Sequence, residues 1–274
     1  MEMKLRVSTY YPSFTKSEKK VADCLLERTE DIIFLSVTEF AELAGVGETT
    51  VMRFCRTIGF KGYQDFKLAL AQDQSTRKNE EHQPSTDDFT QIVLNETIDI
   101  LNNSMSLLNR AVLDQAIDAI DAADQVQFFG VGSSGIIALD AKSRLLRIGH
   151  RAEAMTDTHF QAMLAVQMRK GDVAFGISLS GSTLDTIDVL TKAKQSGATV
   201  IAMTNYAKSP ITSVADIVLL TAGKESPLEG GSIGAKVSQM FLIDLICEGL
   251  ARKDHARSNE MREKTARAVI NKTY

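Results

Sequence analysis

The chain has few cysteines, no long apolar run and little net charge, and each shortage excludes a class of protein. Its three cysteines, Cys24, Cys55 and Cys247, are far apart without paired spacing, which favours reduced thiols in the cytoplasm over disulfides or zinc ligation. No window approaches the roughly 18 apolar residues of a membrane-spanning helix. The opening MEMKLRVSTYYPSF lacks the apolar stretch of a signal peptide. We therefore expect a soluble cytoplasmic protein with no metal or cofactor and no membrane partner.

The apolar content is sufficient for one large or two ordinary domains, since 44% of the 274 residues are hydrophobic and 24% are charged. The formal net charge of -4, taken alone, argues against a protein that coats a polyanion. The charge is unevenly distributed, however. Residues 1–71 hold ten basic and ten acidic side chains, whereas residues 89–251 carry a net -5 and residues 252–274 a net +4.

A polar stretch divides the chain. Residues 72–88, QDQSTRKNEEHQPSTDD, contain no aliphatic or aromatic side chain, so they cannot bury enough surface to offset their ordering entropy. The predicted organisation is an all-helical domain over 1–75, a linker over 76–88, a connecting helical region over 89–123, an α/β domain over 124–254 and a C-terminal tail over 255–274.

Local patterns support these two fold classes. Before the linker, apolar clusters repeat every three to four residues, and Thr15 with Glu18 and Ser36 with Glu39 have the spacing of capping boxes that start helices. After the linker, four short apolar runs alternate with helical patterns, which is typical of βαβ units and a parallel sheet. The predicted strands are VQFFGVG (126–132), DVAFGIS (172–178), TVIAMT (199–204) and IVLLTA (217–222).

Residues 36–59, SVTEFAELAGVGETTVMRFCRTIG, have the pattern of a helix-turn-helix. Such a motif needs a small residue where the helices cross, here Ala41, and a turn residue that tolerates positive φ, here Gly45. It also needs apolar positions that fix the crossing. These are Phe40, Ala44, Val46, Val51 and Phe54. The alternative is an ordinary helical hairpin within a bundle.

If the motif is genuine, its second helix runs from about Glu48 to Ile58 and enters the major groove of DNA. Thr49, Thr50 and Arg53 lie in its first two turns, where side chains reach base edges, and Arg53 suits a bidentate contact with guanine. Arg56 also faces outward, and Lys61 and Lys67 follow the turn at positions suited to phosphates. The alternative for each of these cations is a solvated helix face.

The segments SEKKVADCLLE, SVTEFAELAGV and TTVMRFCRTIGFKGYQDFK together resemble the N-terminal domain of RpiR-type transcriptional regulators over roughly residues 17–70. The resemblance implies an all-α helix-turn-helix domain that binds double-stranded operator DNA. One departure is Gly47, which stands where the family usually has a serine cap for the recognition helix. Glycine is an acceptable N-cap, so we expect no loss of function.

Two loops at predicted strand ends are suited to binding a phosphate. GVGSSG (130–135) combines glycines with the hydroxyls of Ser133 and Ser134 before a helix. It also fits the dinucleotide pattern G-x-G-x-x-G, but no clear acidic ribose partner follows about 20 residues later. ISLSGSTLDT (177–186) places four hydroxyls around Gly181 before another helix, which exceeds what simple helix capping explains. The four residues are Ser178, Ser180, Ser182 and Thr183.

These two loops, with GATVIAMTN and SPITSVADIVLLT, resemble the sugar isomerase (SIS) domain over roughly residues 120–250. The resemblance implies an α/β domain with a five-stranded parallel sheet that binds phosphosugars. It implies that Ser178, Ser180, Ser182 and Thr183 around Gly181 hold the phosphate, while Ser133 and Ser134 face the sugar. Asp185 matches an acidic position after the phosphate loop.

Three functions fit this combination. Isomerisation of a phosphosugar would require a base, for which His159, Glu225 and Glu229 are candidates. Sensing requires only a difference in affinity between two conformations, and it explains why one chain would join a DNA-binding domain to a phosphosugar pocket. We therefore expect a transcriptional regulator of sugar metabolism genes that is not an enzyme, acting as a homodimer or homotetramer. A helical domain that docks a protein instead of DNA is a third possibility.

Overall fold

The computed structural model of the chain describes residues 3–81, 88–223, 228 and 233–270. The described residues form two compact units, one ending at Asn95 and the other beginning at Glu96. None of the described helices combines the length and apolar content that a membrane crossing requires.

The N-terminal unit is entirely helical, as the apolar spacing predicts. Its elements are α1 (Met3–Tyr10), a 3-10 turn (Tyr11–Ser13), α2 (Lys16–Glu27), α3 (Thr29–Ile32), α4 (Val37–Leu43), α5 (Glu48–Thr57), α6 (Tyr63–Glu81) and the first turns of α7 (Phe89–Leu107). Helix α6 continues to Glu81, beyond the predicted domain end at Ser75. No proline occurs between Tyr63 and Pro84, so the local backbone hydrogen bonds of the helix can continue through its polar residues.

Both predicted capping boxes are confirmed. Thr15 accepts a hydrogen bond from the Glu18 amide while the Glu18 carboxylate accepts one from the Thr15 amide, and Ser36 and Glu39 repeat the arrangement at α4. The aromatic side chains of Phe40, Phe54 and Phe66 are fully buried between these helices. The helix starts and the core therefore follow from the local sequence pattern.

The C-terminal unit is an α/β domain built on a five-stranded parallel sheet with strand order β2-β1-β3-β4-β5, which confirms the expected fold class. In chain order its remaining elements are α8 (Arg110–Asp121), β1 (Gln125–Phe129), α9 (Ser133–Arg147), β2 (Ala152–Met155), α10 (Thr158–Ala165), β3 (Asp172–Ile177), α11 (Leu184–Gln195), β4 (Thr199–Thr204), a 3-10 turn (Pro210–Ser213), β5 (Ile217–Leu220), α12 (Ile233–Lys253) and α13 (His255–Val269).

The sheet is covered on both faces. Helices α8, α9 and α12 pack with Phe128 and Phe175 on one face, whereas α10 and α11 pack with Phe129 and Val200 on the other. The basic tail is largely the helix α13, whose Arg257 guanidinium donates to the Gly149 carbonyl at 2.7 Å. That residue therefore packs against the C-terminal unit.

The Glu18 carboxylate lies between α2 and the end of α5. It is 3% exposed and accepts hydrogen bonds from Thr15 and from the Thr57 hydroxyl, the latter at 2.9 Å. Burial acts to raise the pKa of Glu18, but the hydrogen bonds from Thr15 and Thr57 and the charge of Arg53 outweigh it, so the pKa is lowered. The charged carboxylate thus helps to hold α5 in place.

We expect Glu18→Gln to destabilise the N-terminal unit at neutral pH but not in acid. A lowered folded-state pKa contributes stability above the unfolded glutamate value of about 4.3, and this stability is lost as the pH falls through the folded pKa. At neutral pH the variant should lose about 1–3 kcal/mol. Urea unfolding followed by circular dichroism over this pH range measures the loss, with the exposed Glu27→Gln as the control. A loss that does not change with pH would contradict the role of the charge.

Candidate functional site

The turn between α4 and α5 has the geometry that the helix-turn-helix pattern predicts. Gly45 has a φ of 63°, its amide donates to the Glu42 carbonyl at 2.9 Å, and the Val46 amide donates to the Ala41 carbonyl at 2.9 Å. A positive φ at this point ends α4 and redirects the chain into α5. Gly47 is the N-cap of α5 and supplies no side-chain cap, as the departure from the usual serine predicts.

The inner face of α5 fixes its orientation. Val51, Phe54, Cys55 and Ile58 are all fully buried, and the Thr38 hydroxyl of α4 donates to the Glu48 carboxylate at the start of α5. Burial raises the pKa of the Cys55 thiol to about 12, so this cysteine is an inert core residue. The opposite face of α5 is therefore left to solvent.

The outer face carries most of the predicted DNA contacts. Thr49, Arg53 and Arg56 are exposed and Thr50 is half-buried, all on α5, while Lys61 is exposed beyond its end. The Lys61 amide donates to the Asp65 carboxylate at 2.8 Å, which orders the backbone there. These five residues remain candidates for DNA contacts.

The structure corrects the prediction for Lys67, which is buried in the N-terminal unit. Its side chain is 4% exposed, its ammonium donates to the Leu35 carbonyl at 2.9 Å and it lies 5.7 Å from the centre of the Tyr63 ring. Burial lowers the pKa of Lys67 to about 8. The prediction of a phosphate contact was wrong because Lys67 lies on the same helical stripe as Tyr63, Phe66 and Leu70, and that spacing was the missed signal.

In the C-terminal unit, the loop of residues 130–135, here called the glycine loop, leads into α9. Gly132 is the N-cap of α9 and has no side-chain cap, so the amides of the first turn depend on other partners. Ser133 is half-buried and Ser134 is buried. Both residues thus occupy the helix start that the sequence assigned to them.

The second loop, residues 178–183, here called the hydroxyl loop, follows β3. The Ser178 and Thr183 hydroxyl oxygens are 3.0 Å apart, and the Ser182 amide donates to the Ser180 hydroxyl at 3.2 Å. Thr183 is the N-cap of α11 but makes no side-chain cap bond. The Ser182 hydroxyl donates to the Ser180 carbonyl at 3.2 Å. The loop thus holds four hydroxyl residues just before a helix, two of them in contact, and none supplies a side-chain cap to α11.

Gly181 makes the hydroxyl loop possible. It has a φ of 62°, and a Cβ at this position would lie 2.1 Å from the Ser209 Oγ. The Ile211 amide also donates to the Gly181 carbonyl at 2.9 Å. The loop is thus packed directly against the segment that follows β4.

Sequence reasoning missed the residues that support this loop. The Thr204 hydroxyl and the Asn205 amide both donate to the Leu179 carbonyl, at 3.2 and 3.1 Å. The sequence did contain a signal for them. The polar residues of MTN (203–205) follow an apolar run, and parallel strands bring their carboxyl ends to one edge of the sheet.

Gln161 supports the backbone of the glycine loop in the same way. It is fully buried, and its Nε2 donates to the Gly130 carbonyl at 3.0 Å and to the Met155 carbonyl at 2.6 Å. Its Oε1 has no hydrogen-bond partner among the described residues. His159, on the same helix, is exposed, while the other candidate bases, Glu225 and Glu229, lie outside the described residues.

The geometry favours an anionic ligand. Both loops follow parallel strands, both precede a helix, and their polar side chains are neutral hydroxyls. Such donors, together with the positive ends of two helix dipoles, stabilise a phosphate dianion without requiring a buried cation.

Two family models match the chain, namely the helix-turn-helix domain of the rpiR family over residues 1–77 and the SIS domain over residues 119–248. A protein of Haemophilus influenzae named as an uncharacterized HTH-type transcriptional regulator is 37% identical over 97% of this chain and 95% of its own length. A Bacillus subtilis protein named as the uncharacterized HTH-type transcriptional regulator YbbH is 31% identical over 92% of each chain.

Among solved structures, the Vibrio vulnificus NanR protein complexed with ManNAc-6P has a TM-score of 0.91 at 32% identity, covering 98% of both chains. The sugar isomerase domain of an RpiR transcription factor from Sphaerobacter thermophilus has a TM-score of 0.59 at 24% identity, covering 64% of this chain and 96% of that one. At that identity the second likeness concerns the fold alone.

We expect Gly181→Ala to destabilise the C-terminal unit by about 2–5 kcal/mol, of which the positive φ accounts for about 1–2 and overpacking against Ser209 for the rest. Adding Ser209→Gly should recover part of the overpacking contribution and leave the φ contribution. Urea unfolding of the single and double variants measures both parts. If Gly181→Ala were as stable as the wild type, the close approach to Ser209 would not constrain the loop.

Proposed function

Because the chain belongs to the rpiR family of helix-turn-helix transcriptional regulators, with a SIS domain after the helix-turn-helix domain, we propose that it regulates sugar metabolism genes in response to a phosphorylated sugar. The observation that carries the proposal is the presence, in one chain, of an exposed recognition face on α5 and a hydroxyl cluster suited to phosphate. The protein acts in the cytoplasm, where its operator DNA and sugar phosphates are both present.

Helix α5 is proposed to lie in the major groove. Its first turns present Thr49, Thr50 and Arg53 for base edges, while Arg56 and Lys61 are suited to the phosphate backbone. The buried Lys67 leaves few exposed cations near the helix, and residues 1–71 are neutral overall. Non-specific affinity should therefore be weak, so tight binding depends on a homodimer or homotetramer that reads matched half-sites.

The hydroxyl loop is proposed to hold the phosphate of the effector through Ser178, Ser180, Ser182 and Thr183, with the Gly181 backbone against it. The glycine loop, through Ser133 and Ser134, faces the sugar. ManNAc-6P, with which the Vibrio vulnificus protein is complexed, is the first effector to test here. The bound sugar shifts the packing of the protomers and thereby the spacing of their recognition helices.

A sensor is favoured over an isomerase. Curated relatives along nearly the whole chain are named as transcriptional regulators. The sensor assignment accounts for both units, whereas an isomerase would leave the α5 face without a purpose. A helical domain that docks a protein is likewise less favoured. If the protein forms a complex with a polynucleotide and that complex weakens at high salt, DNA binding is favoured over protein docking.

We expect Arg53→Ala to weaken binding to DNA by about 10- to 100-fold and to leave phosphosugar binding unchanged, because it removes a base contact. A duplex selected from a random library by the wild-type protein, with fluorescence anisotropy as the readout, measures the effect. Arg28→Ala, another exposed arginine of the N-terminal unit but not on α5, is the matched control. Equal DNA affinity in Arg53→Ala and the wild type would remove Arg53 from the recognition face.

Ser180→Ala combined with Thr183→Ala should abolish the effect of the phosphosugar on DNA binding, since two of the phosphate donors are lost. Thr191→Ala is the control, because that hydroxyl lies on α11 but donates to its own Ile187 carbonyl at 2.8 Å. Isothermal titration with ManNAc-6P and with hexose and pentose phosphates measures how tightly each variant binds the sugar phosphate.

An unchanged response of DNA binding to the phosphosugar in the double variant would move the effector site elsewhere.

The wild-type protein, incubated with each sugar phosphate and assayed for aldose–ketose conversion, should yield no product. Turnover that depends on the hydroxyl loop would instead favour an isomerase.

A further inference from the structure

We propose that Asn205 and Ser104 are positioning residues that transmit the state of the hydroxyl loop to α7, the helix that leads back to the DNA-binding unit. The inference rests on the proposed function and names the route of its regulation. Four elements of the C-terminal unit are joined by hydrogen bonds along this route, namely the hydroxyl loop, the end of β4, the end of β5 and α7.

The route begins at Leu179, inside the hydroxyl loop. Its carbonyl accepts hydrogen bonds from the backbone amide of Asn205 at 3.1 Å and from the Thr204 hydroxyl at 3.2 Å. A loop that tightens around a phosphate therefore acts first on the end of β4.

The Asn205 side chain joins the end of β4 to the end of β5. Its Nδ2 donates to the Gly223 carbonyl, and its Oδ1 accepts the hydroxyl of Thr221, which is 1% exposed. The Thr221 amide also donates to the Thr204 carbonyl at 3.0 Å. One amide side chain thus sets the path of the backbone on both sides of Ala222.

The route ends on α7. The Ala222 amide donates to the Ser104 hydroxyl at 3.1 Å, and that hydroxyl donates to the Ile100 carbonyl at 2.8 Å. Of the 19 residues of α7, all within the described part of the chain, Ser104 alone is buried. A second contact lies one turn earlier, where Ile100 covers Gly234 so closely that a Cβ there would lie 2.2 Å from the Ile100 side chain.

The position of α7 in the chain gives this contact its importance. The compact units divide between Asn95 and Glu96, within α7. The helix therefore belongs to both units, and a displacement of Ser104 with Ala222 acts on a continuous hydrogen-bonded helix. Coupling between sites requires such an element, whose state both sites influence.

Ser104→Ala tests the route. The quantity measured is the ratio of DNA affinities with and without ManNAc-6P, or with whichever tested sugar phosphate gives the largest wild-type response, using the selected duplex. Allosteric ratios are typically about 5- to 150-fold, and we expect this ratio to fall to within about twofold of one in Ser104→Ala. The affinity for the sugar phosphate in the absence of DNA should remain that of the wild type.

Two variants separate this role from a merely structural one. Ser104→Thr retains a hydroxyl and should retain the response. Ser106→Ala removes a hydroxyl from the same helix, exposed and bonded to its own Asn102 carbonyl at 3.0 Å, and it should behave as the wild type. Loss of the response in Ser106→Ala would show that α7 is sensitive to any change and would overturn the assignment.

Asn205→Ala provides a second test if Ser104→Ala does not fold. It should also remove the response, and the double variant should be no worse than either single variant, because residues in series are not additive. A full response in a folded Ser104→Ala or Asn205→Ala overturns this inference alone. A wild-type DNA affinity that no sugar phosphate alters overturns the proposed function, and this inference with it.

Discussion

The sheet of the C-terminal unit is wholly parallel, and this constraint places its candidate phosphate-binding loops at one edge. Because β1, β3 and β4 run in one direction, the glycine loop, the hydroxyl loop and the segment after β4 all leave the same edge. Gly181 then allows the hydroxyl loop to lie against Ser209 with no room for a Cβ. The proposal that donors from separate parts of the chain surround one phosphate rests on this arrangement, in which Thr204 and Asn205 hold the backbone of the hydroxyl loop at Leu179.

The N-terminal unit is organised so that one face of α5 is exposed to a binding partner. Capping boxes start α2 and α4, the positive φ of Gly45 sets the turn, and buried aromatic rings fix α5 against them. The charged Glu18 accepts a hydrogen bond from the hydroxyl of Thr57, the last residue of α5. These contacts fix the backbone of α5 within the unit, so its exposed face is held in one orientation for recognition.

Local chemistry decided which features could be predicted. The capping boxes, the turn at Gly45 and the start of α5 depend on residues a few positions apart, and the sequence pattern predicted them. The edge strand β2 was missed because it has four residues and alternates with the exposed Glu153, a signal too short to separate from a loop. Lys67 was misassigned because residue type was given more weight than helical spacing, and Asn205 and Ser104 were not found because their contacts join residues distant in sequence. The family resemblance, not periodicity, supplied the count of five strands.

The central claim is that DNA and phosphosugar binding are coupled within one chain, and linkage gives its most direct test. The affinity for ManNAc-6P is measured by isothermal titration twice, with free protein and with protein saturated by the selected duplex. Coupling predicts that the two affinities differ, by the same factor as the sugar phosphate changes the affinity for the duplex. Equal affinities for the sugar phosphate in the two titrations would contradict it.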